Sequence, residues 1–326
     1  VSKSESEIKP AMSIIQLAAK RLVNNVGEVI VGKKETIELV LVALLCEGHI
    51  LIEDVPGIGK TMLAKAIARS LDCSFKRIQS TPDLLPSDIT GIHFYNQKTS
   101  EFEFRPGPIM ANIVLVDEIN RATPRTQSSL LECMQERQVT VDLETMPLPR
   151  PFLVIATQNP VELEGTFPLP EAQLDRFLLR IGLGYPTKDE EGTILSRFQR
   201  SNPLDSLTSV LKTDELLKIQ ELSGQMYVAE SVNNYVTAIT RASRSHEDIK
   251  LGASPRASLG LYHASQALAA IRGRNYVIPD DVKHLAVPAL AHRLIVKTET
   301  RLRGRSAESI LSKIVSTVPV PVEDQS

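Results

Sequence analysis

Chemistry in this chain concentrates in one short stretch, Asp54-Val-Pro-Gly-Ile-Gly-Lys-Thr61, and in two adjacent carboxylates, Asp117 and Glu118. The stretch has the makings of a polyphosphate cradle. Gly57 and Gly59 let backbone N–H groups turn inward around phosphate oxygens. Lys60 supplies a full positive charge to the outer phosphates, and the Thr61 hydroxyl can ligate Mg²⁺. Candidate nucleotide contacts are therefore Pro56, Gly57, Ile58, Gly59, Lys60, Thr61 and the following Met62. The strict G-x-x-x-x-G-K-[ST] pattern wants Gly where this chain has Asp54, so Pro56-Gly57 is left to make the turn. A glycine-rich turn that binds nothing is the bland alternative.

The elements around these residues are what the chemistry requires. Ile50, Leu51 and Ile52 read as the end of a buried strand, and Lys60 to about Leu71 carries Leu63, Ala64, Ile67, Ala68 and Leu71 at helical spacing. The loop thus lies where a strand hands over to a helix, whose N-terminus favours negative charge. Asn112-Ile-Val-Leu-Val-Asp-Glu118 is a second strand, apolar enough to be buried on both faces, with its carboxylates at the end. Two adjacent buried carboxylates are costly without a cation. In a nucleotide site, Asp117 helps hold Mg²⁺ while Glu118 polarises the attacking water. Phe152-Leu-Val-Ile-Ala-Thr-Gln-Asn159 is a third such strand, which leaves Asn159 at a sheet's carboxyl edge. Asn159 either orients a water there or closes a turn before Pro160.

Upstream, Ile8 to Asn25 reads as an amphipathic helix, and a second helix runs to about Leu45. Between them, Val31 and Gly32 make either an apolar slot for a flat base or a plain helix–helix turn. Ser74 to Gln79 is a strand, and Thr81 to Pro108 reads as a short helix interrupted by a hairpin. Thr123-Pro124 caps a helix. Gln138-Val-Thr-Val141 with Leu148 to Arg150 suggests a second hairpin. Phe177 to Ile181 is a last strand with Arg176 at its start; an arginine there is commonly a surface residue paired to a carboxylate. From Lys188 the pattern is helical, and Ser254-Pro-Arg256 reads as a cap, a first-turn proline and a first-turn arginine. The expected division is an α/β nucleotide-binding domain over 1–185 and a helical lid domain over 186–326.

Bulk properties exclude several classes. The chain has 326 residues, 42% hydrophobic and 23% charged, with formal net charge -2 and pI about 6.4. No global field draws it to nucleic acid or an anionic membrane. Its longest apolar run, Leu39 to Cys46, is far below the ~18 residues of a membrane span. The polar start Val1-Ser-Lys-Ser-Glu5 is no signal peptide. Cys46, Cys73 and Cys133 are scattered, which suits free thiols in a reducing, cytoplasmic compartment. Cys46 and His49 lack the second half of a zinc site.

Lys60, Asp117-Glu118, Asn159, Arg176 and Arg256 occur in an order that resembles AAA+ ATPases. Within them, Glu53-Asp-Val-Pro-Gly-Ile-Gly-Lys-Thr61, Asp117-Glu-Ile-Asn-Arg-Ala122, Ala156-Thr-Gln-Asn-Pro160, Leu174-Asp-Arg-Phe177 and Gly252-Ala-Ser-Pro-Arg256 look like the MoxR family. The resemblance implies a P-loop fold with a parallel five-stranded sheet and flanking helices, followed by a small all-helical lid. It makes Lys60 and Thr61 Walker A residues, Asp117 and Glu118 Walker B, and Asn159 sensor 1. It makes Arg176 an arginine finger acting on a neighbour's γ-phosphate, and Arg256 a sensor 2 reaching its own nucleotide. It also implies hairpin insertions near 92–104 and 139–150. As an activity it implies ATP hydrolysis with Mg²⁺ by a ring-shaped homo-oligomer, usually a hexamer. Such a ring would serve as a chaperone-like factor for a protein client, with a von Willebrand factor A domain partner. A nucleic-acid motor and a nucleotide-gated scaffold are the rival readings.

Overall fold

The structure is a computed structural model that describes residues 2–142, 144–160, 165–199 and 201–321, with side chains described from residue 13 onward. Five parallel strands form its central sheet: β1 (Ile50–Glu53), β2 (Phe75–Gln79), β3 (Ile113–Asp117), β4 (Leu153–Gln158) and β5 (Leu179–Ile181), in the order β2-β3-β4-β1-β5. The register matches Gln79 to Asp117, Val116 to Ala156, and Glu53 to Gln158. The carboxyl ends of β1 to β4 therefore share one edge.

Alternation along each strand separates two cores. Ile50, Ile52, Ile113, Leu115, Leu153 and Ile155 face one apolar cluster, which also takes in helices α2 (Lys34–Leu45) and α3 (Lys60–Ser70). Leu51, Val114, Val116, Val154 and Ala156 face the other, with Leu130, Leu131 and Met134 of α4 (Pro124–Glu136). Burying such side chains stabilises by roughly 1.5–3 kcal/mol each, so strands apolar on both faces are driven to the middle of the sheet. β2, polar at Lys76, Arg77 and Gln79, takes an edge.

The long helix α1 (Ser2–Gly27) packs against α2 and α3. Beyond β5 the chain is helical: α5 (Lys188–Phe198), α6 (Thr213–Ser223), α7 (Glu230–Ser245), α8 (Pro255–Ile271), α9 (Pro279–Leu290) and α10 (Ala307–Thr317), with short helices between. A two-stranded antiparallel ladder, Ile249–Leu251 with Ile295–Val296, is added to this helical lid. Leu261, Ala264, Leu268, Val282 and Leu285 of the lid join the same core as α2, so the lid sits on that face of the sheet.

Two hairpins project from the α/β part. The first, Gly91–Asn96 with Glu101–Pro106, falls where the sequence suggests one. In the second, Gln138–Val141 pairs with Glu144–Pro147, so the return strand precedes the expected Leu148–Arg150. Val141 pairs directly with Glu144 and Asp142 has φ 54, the left-handed conformation of a tight two-residue turn. The last strand is also shorter than expected, beginning at Leu179 because Leu178 N–H bonds the His49 carbonyl ahead of the ladder. Among the described residues no helix is long and apolar enough to cross a membrane.

Candidate active site

At the carboxyl edge of the sheet, the loop between β1 and α3 bounds a cavity of about 330 Å³. Pro56, Gly57, Gly59, Lys60, Thr61 and Met62 line it from the loop; Asp117, Glu118 and Asn159 line it from the ends of β3 and β4. Gly57 (φ 83) and Gly59 (φ 95) adopt the left-handed conformation, and nothing lies within 4 Å of where a Cβ on either would stand. The loop thus leaves open space that side chains would fill.

Lys60 Nζ donates to the Asp54 carbonyl at 2.8 Å. Burial lowers its pKa, against the raising influence of Asp117, Asp54 and Glu118. Asp54 explains its own departure from pattern. Its carboxylate accepts from Val55 N–H at 2.9 Å, Leu183 N–H at 2.8 Å and Gly184 N–H at 2.7 Å. Glycine at this position could not tie the loop to the segment that leads into the lid.

Three polar residues that sequence reading passed over complete the site. Thr157, fully buried on β4, donates its hydroxyl to Asp117 Oδ1 at 2.6 Å and accepts from Glu118 N–H at 2.9 Å. Arg77 Nη2 reaches Asp117 Oδ2 at 2.7 Å and Gln79 Oε1 at 2.6 Å, and Gln79 Nε2 donates to Glu118 Oε2 at 3.1 Å. Arg121 Nε stands 3.4 Å from the same Glu118 oxygen. Thr157 sits inside an apolar run, and Arg77 and Gln79 look like the solvent side of an edge strand. The strand register that brings them to Asp117 and Glu118 is a tertiary fact.

Five expected residues lie outside this lining, Val31, Gly32, Ile58, Arg176 and Arg256. Gly32 (φ 76) packs on the start of α5, where a Cβ would collide with the Glu190 carboxylate, and Lys33 Nζ donates to the Tyr185 carbonyl at 3.0 Å. Arg256, expected to reach its own chain's nucleotide, is not among the residues lining the cavity either. Its charge is felt by His49, which precedes β1 at the end of the strand remote from the loop, and by Arg293. The physical reason is the docking of α8. Its capping Ser254 donates to the Asp175 carboxylate at 3.2 Å, which draws the helix start to the residue beside Arg176. Arg293, with 3% of its side chain exposed, adds an ion pair to Asp175 at 3.4 Å and a bond to the Phe177 carbonyl at 2.7 Å. Burial, then the Arg256 charge, lowers the Arg293 pKa to about 10, with Asp175 opposing. Arg176 and Arg256 therefore occupy one flank, apart from the cavity.

Oxygen donors suited to a hard divalent cation, Thr61 and Asp117, line the same cavity as Lys60 and the open glycine backbone. These residues fit a nucleoside triphosphate with its magnesium.

Comparisons with known proteins agree with this geometry. Residues 49–179 match the ATPase family associated with various cellular activities (AAA), and residues 241–314 match the AAA lid domain. The uncharacterized protein YeaC of Bacillus subtilis is 50% identical over 303 residues, 93% of this chain and 95% of that protein. Chaperone MoxR1 of Mycobacterium tuberculosis is 44% identical over 311 residues, 93% of this chain and 82% of that protein. A crystal structure of a candidate ATPase from Cytophaga hutchinsonii superposes with TM-score 0.91 at 38% identity, covering 98% of this chain and 99% of that one. Strand order, loop, lid and near full-length identity lead to one assignment: the chain belongs to the MoxR family of AAA+ ATPases, and it hydrolyses ATP.

Proposed function

We propose that this ATPase is a chaperone-like remodelling factor that works as a hexameric ring, as its family resemblance implies, and couples hydrolysis to conformational work on a protein client. The observation that carries the site assignment is the meeting of Lys60, Thr61, Asp117, Glu118 and Asn159 around one cavity of about 330 Å³. Lys60 would balance charge on the outer phosphates, and Thr61 and Asp117 would hold magnesium. Magnesium held there would supply positive charge against the negative charge developing in transfer. Glu118 takes the proton of the attacking water and Asn159 orients that water.

Arg176 completes the site from an adjacent subunit, and Arg256, on the same flank, acts with it. The two units are 1–185 and 186–326, and the hairpins near 92–104 and 139–150 face client or partner. Tyr95 (52% exposed) and Phe102 (73%) at the first hairpin, flanked by Glu101 and Glu103, suit an apolar protein surface better than a phosphate backbone. A von Willebrand factor A domain partner rests on the family resemblance, and a cytoplasmic site of action on the free thiols of Cys46, Cys73 and Cys133.

Mixing subunits tests the shared site. Arg176→Ala and Glu118→Gln chains are each expected to be nearly inactive, since an arginine finger supplies ~10³ to 10⁵ in rate. Together they should regain turnover, because a mixed interface pairs an intact Glu118 with an intact Arg176. Phosphate release that stays at the level of the separate variants at every mixing ratio would sink the shared-site proposal.

A further inference from the structure

Both carboxylate oxygens of Asp117 are engaged by the protein itself. Oδ1 accepts from the Thr157 hydroxyl at 2.6 Å, and Oδ2 pairs with Arg77 Nη2 at 2.7 Å. The Thr157 bond is compatible with a metal ligand, since a supporting donor orients a carboxylate without competing for its charge. The Arg77 pair is not. A guanidinium and a divalent cation cannot share one carboxylate oxygen without severe like-charge repulsion.

Arg77 is also held from behind. Its Nη2 donates to Gln79 Oε1 at 2.6 Å, while Gln79 Nε2 donates to Glu118 Oε2 at 3.1 Å. A guanidinium only donates and a carboxylate only accepts, so the Gln79 amide has one orientation that satisfies both neighbours. The chain Asp117–Arg77–Gln79–Glu118 therefore links the two acidic residues of the site through one cation and one amide. Arg77 stands on the edge strand β2 with 47% of its side chain exposed, so it has room to swing away.

We propose that Arg77 is a place-holder for the divalent metal: it neutralises Asp117 before nucleotide arrives and gives up that carboxylate's charge to the metal when metal binds. Free metal then competes poorly for Asp117. The metal–nucleotide complex, which brings its own phosphate ligands, displaces the arginine. Displacement removes the donor that fixes Gln79 over Glu118, so the metal's arrival is felt at the water-activating residue. This inference rests on the nucleotide reading of the cavity.

The test is a Mg²⁺ titration of the binding of a fluorescent non-hydrolysable ATP analogue, with no turnover involved. In Arg77→Met the Mg²⁺ concentration for half-saturation should fall about three- to fivefold, the most that a half-exposed ion pair is worth. Arg77→Lys should stay near the wild type. Gln79→Leu, which removes the acceptor behind the guanidinium, should shift in the same direction by less. Mn²⁺ added without nucleotide should bind Arg77→Met more tightly than wild type by electron paramagnetic resonance. An unchanged Mg²⁺ requirement in Arg77→Met overturns the proposal. A raised one overturns it too, and shows instead that Arg77 helps to hold the triphosphate. If wild type fails to bind the analogue at any Mg²⁺ concentration, the nucleotide reading itself fails.

Discussion

Glu118 shows how a single residue is prepared for its task. It adopts φ 55 and ψ 50, a left-handed conformation uncommon for a residue with a side chain. The Thr157 hydroxyl that accepts its N–H holds it there while also donating to Asp117, so one buried threonine fixes the Glu118 backbone and the Asp117 carboxylate. Asp54 is equally specific. Asp54→Gly would bring the loop closer to the strict motif, yet it deletes the acceptor for three backbone N–H groups. Leaving buried donors unpaired costs about 1–3 kcal/mol each. Leu183 and Gly184 are part of the lid connection and water can serve some of these groups, so a net loss of about 1–3 kcal/mol in chemical denaturation is expected. A variant at least as stable as the wild type would show that these bonds hold nothing.

At the scale of elements, His49 joins β1 to its neighbours. It is buried, its Nε2 lies 2.9 Å from the Met134 carbonyl at the end of α4, and its Nδ1 accepts from Val154 N–H of β4 at 3.1 Å. The Val154 bond requires an unprotonated Nδ1, so the ring is neutral with its proton on Nε2. Burial is the main cause that lowers its pKa to about 4. Below the ordinary histidine value the unfolded chain takes up a proton that the folded chain refuses. The histidine's contribution is therefore fully present above about pH 6.5 and is lost as pH falls toward 4, by about 3 kcal/mol in all. Denaturant midpoints measured across that window should fall with acid, and His49→Gln, though less stable at neutral pH, should show a flatter profile. Equal slopes in both proteins would assign the acid sensitivity elsewhere.

At the scale of the whole molecule, the lid decides what each arginine can reach. Asp175 receives Ser254 from the cap of α8 and Arg293 from the turn after α9, so lid and sheet are joined at the residue before Arg176. The apolar core running from α2 into the lid supports the same docking. With Arg256 on that flank, we propose that it acts on the triphosphate of a neighbouring subunit. Arg256→Ala mixed with Glu118→Gln should therefore regain turnover as the Arg176→Ala mixture does. A mixture that stays inactive while the Arg176 mixture recovers would return Arg256 to its own subunit's nucleotide.

The inventory of chemistry was legible in the sequence because it is local. Gly57 to Thr61 act through contiguous backbone, and Asp117, Glu118 and Asn159 end strands whose apolar runs declare their burial on both faces. The five-stranded sheet and helical lid followed from those runs and from the helical spacing beyond Lys188. Register and docking were not legible, because they depend on contacts between segments far apart in the chain. Gln79 meets Glu118 only because β2 pairs with β3, and Thr157 meets Asp117 only because β3 pairs with β4. Ser254, two residues before Arg256, bonds Asp175 because an apolar lid face, with no positional code of its own, found its complement on one side of the sheet. Residue types and local periodicity set what this chain can do to a phosphate; the packing of distant elements decided which side chains share the work.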